Sequence, residues 1–88
     1  MVMVRGGLAK LTEECGEVIQ VCAKADGVRG LDNAHWSGDL RAMLIAEIGD
    51  VEAAIEFVKR KHGLDRGLIC DRKAEKLCLF LKWDRDDS

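Results

Sequence analysis

Apolar residues recur along most of the chain at alternating intervals of three and four positions, the period of an α-helix with one buried face. The first such segment runs from about Leu8 to Ala25 and is followed by Gly27 and Gly30. Because glycine readily adopts the backbone conformation that ends helices, both glycines are expected near the helix end. The predicted core stripe of this helix consists of Leu8, Leu11, Cys15, Val18, Cys22 and Ala25.

A second stripe predicts a helix from about Gly38 to His62, with Ser37 as its N-cap and Gly63 as its C-terminal stop. Residues 27–37, between the first two helices, are rich in turn residues and are predicted to form a loop. The stripe has five apolar members and one charged member: Leu40, Leu44, Glu47, Val51, Ala54 and Val58.

A third helix is predicted from about Arg66 to Lys82, capped by Asp65 and followed by a frayed acidic end. Leu77 and Leu81 are expected on its core face. Because the connections between the helices are short, neighbouring helices should run antiparallel, and the three should form an up-down-up bundle.

The composition favours the same class of fold. Hydrophobic residues make up 48% of the 88 positions, proline is absent and aromatic residues contribute 5%, a balance that favours helices over a small β-barrel. A chain of this length forms a single domain, residues 1–88, and buries too small a share of its surface to be more than marginally stable as a monomer. The sequence therefore predicts an all-α antiparallel helical bundle that is completed by oligomerisation.

Charge and cysteine usage limit the partners and the cellular compartment that are expected for this chain. The net charge of −2 indicates no basic face for duplex nucleic acid. The cysteines, spaced seven and eight apart within each pair, match neither a zinc motif nor a disulfide framework and are interpreted as small core residues in a reducing cytosol. No apolar run approaches the roughly 18 residues of a membrane span, so a cytoplasmic protein is expected. These cysteines are Cys15, Cys22, Cys70 and Cys78.

Two pairs of acidic residues carry the candidate chemistry. Glu47 stands in the apolar stripe of the second helix, and Asp50 follows one turn later. A buried carboxylate must be neutralised, paired or bound to a metal. Glu14 and Glu17 repeat the spacing on the first helix, so antiparallel helices can bring four carboxylates to one point that suits Mg²⁺ or Mn²⁺. Gly49, between the second pair, suggests close approach by another backbone or a ligand.

Other interpretations of these acids have different consequences. They are compatible with solvated surface acids or with a network of ion pairs to Lys or Arg. A di-iron centre is not expected, because bundles of that kind use Glu-x-x-His and none of the four acids has a histidine three residues later.

The string Lys10-Leu11-Thr12-Glu13-Glu14-Cys15-Gly16-Glu17, followed by Glu47-Ile48-Gly49-Asp50, resembles the EExxE…ExxD signature of the MazG-like all-α nucleoside triphosphate pyrophosphohydrolases. The resemblance covers roughly residues 8–81. It implies hydrolysis of a nucleoside triphosphate to the monophosphate and pyrophosphate, and assembly into homodimers or homotetramers. It also implies that magnesium is bound by Glu14, Glu17, Glu47 and Asp50.

Cleavage of a phosphoanhydride needs charge neutralisation and a positioned water, which metal ions supply. Glu13, or one of the metal ligands, is a candidate to accept the proton of that water. Trp36, in the loop, is a candidate to stack on a nucleobase. The candidate phosphate-binding cations are Lys10, Lys24, Arg72, Lys73 and Lys76.

Three classes of function follow from the sequence. The expected one is a pyrophosphohydrolase that cleanses the nucleotide pool. The second is a non-catalytic regulator that binds a metal or a nucleotide on the same bundle. The third is a plain helical oligomerisation module whose acids are merely paired, and which shows no response to metal.

Overall fold

The computed structural model describes residues 4–27, 30 and 39–87. A short 3-10 helix, Val4–Gly7, leads into α1 (Leu8–Gly27), and α2 (Leu40–His62) and α3 (Arg66–Asp87) follow. Within the described ranges every element is helical, so the all-α class is confirmed. None of these helices is long and apolar enough to cross a membrane.

The helix ends follow from their capping residues. α2 begins at Leu40, later than predicted, because the Asp39 side chain accepts a 3.0 Å hydrogen bond from the Ala42 N–H. Ser37, the predicted cap, lies outside the described residues. The C-terminal stop at Gly63 is confirmed by its left-handed backbone, with φ of 60°. The cap at Asp65 is confirmed by a 3.0 Å bond from the Leu68 N–H.

α1 and α2 pack side by side as an antiparallel hairpin whose small core lies between them. The predicted stripe of α2 is correct, since all six positions are buried or half-buried. The predicted stripe of α1 is correct in part, since Leu11, Val18 and Ala25 are buried or half-buried. Leu8, Cys15 and Cys22 are exposed, and the neighbouring Glu14 and Val21 are buried in place of the two cysteines. The buried apolar residues are Val21, Ala25, Leu40, Ala54 and Val58.

α3 corrects the predicted bundle. None of its residues is buried, and the two leucines expected in the core, Leu77 and Leu81, are 51% and 55% exposed. The helix also continues to Asp87, through the segment expected to fray. The physical reason lies in the sequence of α3, whose apolar residues surround the helix at 77–83 instead of lining one side. Its cysteines, Cys70 and Cys78, are likewise exposed and not core residues.

One of the two expectations for Gly49, the close approach of another backbone, is not met within the described residues. A side chain placed there meets no atom of the described structure within 4 Å, so no backbone approaches α2 at this point of the chain. The hairpin alone therefore does not explain this glycine.

Candidate metal centre

The structure brings the four predicted carboxylates together in the middle of the α1–α2 hairpin. Glu14 and Glu17 stand one turn apart on α1, and Glu47 and Asp50 stand one turn apart on α2. One oxygen of each carboxylate lies within 4.8 Å of the corresponding oxygen of every other. These residues are called the acid cluster below. Their convergence follows directly from two helical i, i+3 pairs on antiparallel neighbours.

Burial is graded across the acid cluster. Glu14 is 6% exposed, Glu17 and Glu47 are half-buried, and Asp50 is exposed. The cluster is therefore closed on the side of Glu14 and open to solvent at Asp50. A ligand that reaches these carboxylates from solution meets Asp50 on the exposed side.

Hydrogen bonding inside the acid cluster is incomplete. The Lys10 Nζ lies 2.9 Å from Glu14 Oε1 and 3.3 Å from Glu13 Oε1, so one oxygen of Glu14 is neutralised. The other oxygen, Glu14 Oε2, is buried without a hydrogen-bond partner, and so is Glu47 Oε2. A buried acceptor left without a partner costs about 1–3 kcal/mol, and more when charged. A cation bound between the two helices would satisfy both oxygens.

The electrostatics of the acid cluster favour a bound proton when no cation is present. The pKa of Glu17 is raised, first by its hydrogen bond with Glu47 and then by the negative charges of Glu14 and Glu47. The pKa of Lys10 is raised by its hydrogen bonds with Glu14 and Glu13, so the ammonium keeps its charge. Lys10 thus supplies positive charge to the cluster, and the raised pKa of Glu17 makes a proton easier to bind there.

The donor set fits a hard divalent cation. All four side chains offer carboxylate oxygens, which Mg²⁺ and Mn²⁺ prefer over softer ligands. The unpartnered oxygens of Glu14 and Glu47 give this fit a structural basis that does not depend on the sequence motif.

A pocket of about 400 Å³ adjoins the acid cluster and extends along α2 towards its C-terminus. Phe57 lines this pocket but is not among the site residues predicted from the sequence. The sequence does contain a signal for its position, because Asp50, Ala54 and Phe57 follow one another at helical spacing on one side of α2. The pocket is lined by Lys10, Glu14, Asp50, Ala53, Ala54 and Phe57.

The structure places most of the other candidate residues away from this pocket. Among the candidate cations only Lys10 lines it. Lys24 is exposed near the C-terminal end of α1, and Arg72 of α3 is paired with Glu75 at 2.9 Å. Lys73 lines a different cavity, between α2 and α3. Two further candidates complete the set: Lys76 is half-buried on α3, and Trp36 lies outside the described residues.

Comparison of the chain with protein-family models, with curated proteins and with solved structures finds no match. The likeness to the MazG-like enzymes therefore stays a resemblance of motifs.

Proposed function

We propose that the chain is a Mg²⁺-dependent nucleoside triphosphate pyrophosphohydrolase, a single MazG-like helical domain that converts a ribo- or deoxyribonucleoside triphosphate to its monophosphate and pyrophosphate. Mn²⁺ is the alternative ion. The role is house-cleaning of the nucleotide pool in the cytoplasm. The observation that carries the proposal is the pair of buried, unpartnered oxygens, Glu14 Oε2 and Glu47 Oε2, within the acid cluster.

Each residue of the site has a role that follows from its position. Glu14, Glu17, Glu47 and Asp50 hold the metal, which supplies charge neutralisation at the phosphates and positions water. Lys10, which lines the adjoining pocket and keeps its charge, binds a phosphate oxygen. The proton of the attacking water goes to a carboxylate, either that of Glu13 or a ligand oxygen not used by the metal.

The proposal includes a homodimer or homotetramer. In one chain, Arg72 and Lys73 do not line the pocket beside the acid cluster. If these α3 cations take part in phosphate binding, they do so from a second copy of the chain. Three features of the described chain are consistent with such an assembly. They are the open pocket, the exposed α3 and the thin hairpin.

The test is pyrophosphate release from a panel of canonical and damaged nucleoside triphosphates, with Mg²⁺ and with EDTA. We expect release that requires the metal, and a loss of turnover by orders of magnitude in Glu47→Ala and Asp50→Ala with helical content unchanged by circular dichroism. Glu52→Ala is the matched control, because Glu52 is an acid on α2 that lines the other cavity. Its turnover should equal that of wild type.

The alternatives predict different results in the same assay. Metal and nucleotide binding without pyrophosphate release identifies the non-catalytic regulator. No response to Mg²⁺ in binding or in melting identifies the oligomerisation module. Full turnover in Glu47→Ala contradicts the site assignment itself.

A further inference from the structure

The pocket beside the acid cluster has two chemically different ends. Lys10, Glu14 and Asp50 form a charged end that is continuous with the acid cluster. Ala53, Ala54 and Phe57 form an apolar end. Its volume of about 400 Å³ lies in the range of small-molecule sites, which are typically roughly 300–1,000 Å³.

The geometry of α2 sets the distance between these ends. Asp50 and Phe57 are separated by two helical turns, which corresponds to about 10 Å along the axis. Between them Ala53 and Ala54 contribute only methyl groups, which leave space for a ligand above the surface of α2. Phe57 remains 37% exposed, which leaves part of its ring accessible from solution.

We infer that the apolar end of the pocket is a subsite for the flat heteroaromatic ring of a nucleoside phosphate, with the ring stacked against Phe57 over Ala53. The inference rests on the proposed function, because the phosphates of the same ligand then reach Lys10 and the acid cluster. Aromatic side chains stack on bases of any sequence, since every base presents a π-face. Lys10 stands at the charged end, where the phosphates arrive.

A ligand of this class fits the pocket better than a purely apolar one. An apolar group that filled all of it would remove water from Lys10 and Asp50 without offering them partners, which is unfavourable. A free phosphate would leave the apolar end unused. A ligand with a charged end and a flat apolar end satisfies both.

The test compares two ligands in the presence of Mg²⁺: a nucleoside triphosphate with a methylene group between its α- and β-phosphorus atoms, which resists the proposed hydrolysis, and tripolyphosphate, which lacks the ring. Phe57→Leu keeps an apolar side chain but removes the ring, and Ala53→Leu fills the floor of the pocket. We expect Phe57→Leu to weaken binding of the analogue by about tenfold, within the range that loss of one base–aromatic stack produces. Ala53→Leu should weaken it similarly. Tripolyphosphate binding should change less than twofold in both.

A matched control for the enlarged side chain is available on α2. Ala46→Leu enlarges an exposed alanine that does not line the pocket. This control should bind the analogue as wild type does.

The outcomes separate this inference from the proposed function. If Phe57→Leu and Ala53→Leu leave the analogue unaffected, or weaken both ligands equally, the ring subsite is wrong even where wild type hydrolyses nucleotides. A change in sedimentation without a change in analogue affinity also overturns it, because Phe57 then packs against a second copy. If wild type binds neither Mg²⁺ nor tripolyphosphate, the proposed function fails, and the subsite that rests on it fails too.

Discussion

At the residue scale, the acid cluster combines charges that repel one another with oxygens that lack partners. Lys10 neutralises one oxygen of Glu14 at 2.9 Å, and the hydrogen bond of Glu17 with Glu47 raises the pKa of Glu17. Neither arrangement reaches Glu14 Oε2 or Glu47 Oε2. A bound divalent cation would supply partners to these oxygens and reduce the repulsion at the same time. The cluster should therefore respond to both pH and metal.

The direction of the pH response follows from the raised pKa of Glu17. A carboxyl group whose pKa is higher in the folded than in the unfolded protein binds its proton more readily when folded. Around neutral pH this group lowers the free energy of unfolding, and the loss diminishes as pH falls towards the folded pKa. In EDTA, wild type should become more stable as the pH falls from 7 towards the ordinary Glu value of 4.5, before general acid unfolding begins.

Glu47→Gln tests this account by removing one negative charge while keeping a side chain of the same size that can hydrogen-bond with Glu17. In EDTA at pH 7 the variant should melt at a higher temperature than wild type. Mg²⁺ at a hundred times its Kd should increase the free energy of unfolding of wild type by about 2.7 kcal/mol and so raise its melting temperature. It should have little effect on the variant. Thermal melts with EDTA and with Mg²⁺ measure both effects.

Glu52→Gln is the control for this pair of measurements, since Glu52 belongs to α2 but lies outside the acid cluster. It should show the wild-type response to Mg²⁺. A Glu47→Gln protein that is less stable than wild type in EDTA, together with a wild type that ignores Mg²⁺, means that the acids serve only as structural ion-pair partners.

At the element scale, the junction between α2 and α3 is held by one carboxylate. Glu56 accepts hydrogen bonds from Arg60, on its own helix at 2.6 Å, and from Arg66, the first residue of α3, whose Nη1 lies 3.1 Å from Oε1. This ion pair crosses the short connection that Gly63 and Asp65 shape. It connects the first residue of α3 to α2.

The same carboxylate gives a prediction that nuclear magnetic resonance can check directly. Hydrogen bonds from Arg66 and then Arg60 lower the pKa of Glu56 to about 2. Arg66→Gln should raise that pKa towards 4.5, and Arg60→Gln should raise it less, because Arg66 makes the larger contribution. The chemical shift of the Glu56 carboxyl carbon, followed from pH 7 to pH 2, reports both values. An equal or larger change in Arg60→Gln contradicts the proposed geometry of the junction.

Linkage fixes the sign of the corresponding stability effect. A carboxyl group with a lowered folded pKa stabilises the fold at pH values above its unfolded pKa. That contribution is lost as pH falls from about 4.5 towards 2. Because the Glu56 side chain is 36% exposed, the effect should be modest and should shrink with added salt.

Sequence reasoning succeeded where one helix face decided the structure. On α2, the spacing of Leu40 and Val58 fixed the buried face and placed Glu47 in it. On α1, positions 15 and 22 compete with 14 and 21 for the core at identical spacing. The choice was made by the packing partner, because the buried face of α1 has to bring Glu14 to the acids of α2. That information is tertiary and does not lie within either segment.

The pocket and the position of α3 were harder to predict from the sequence for the same reason. Phe57 lines a pocket only together with Lys10 and Glu14 of the other helix. The periodicity of α3 could not define a core face, since its apolar residues surround the helix near its C-terminal end. The convergence of the four acids was the easiest part to predict, because each pair is local and only the antiparallel arrangement was needed to unite them.

At the scale of the whole molecule, the chain exposes more surface than a compact protein of its size. Its accessible area is 6998 Å², against roughly 5,200 Å² expected for a folded monomer of this mass. Its radius of gyration is 15.7 Å, against about 12 Å for a compact chain of this length. The Cα atoms span 43 × 36 × 15 Å, so the molecule is a thin layer of helices. Such a layer has no second layer against which to bury its apolar side chains.

Four neighbouring side chains at the C-terminal end of α3 form one exposed apolar group. Phe80 and Trp83 are each 52% exposed and their ring centroids lie 5.7 Å apart. Leu77 and Leu81, on the same turns, are also more than half exposed. A helix that is apolar all round is normally buried in a larger core. This segment, residues 77–83, is called the α3 tip below.

The last prediction is that the α3 tip is buried against a second copy of the chain in a homodimer or homotetramer. Full burial of a large aliphatic or aromatic side chain contributes about 1.5–3 kcal/mol, so the tip can supply several kcal/mol of association energy. Sedimentation at micromolar concentration should show wild type as a dimer or tetramer. Leu81→Lys should shift it to monomer, because a lysine there places a charge in an apolar interface.

Asp71→Lys, which adds the same side chain to the polar half of α3, should leave the assembly unchanged. Wild type that sediments as a stable monomer contradicts the prediction, and dissociation by both variants alike indicates that general charge, and not the α3 tip, governs association.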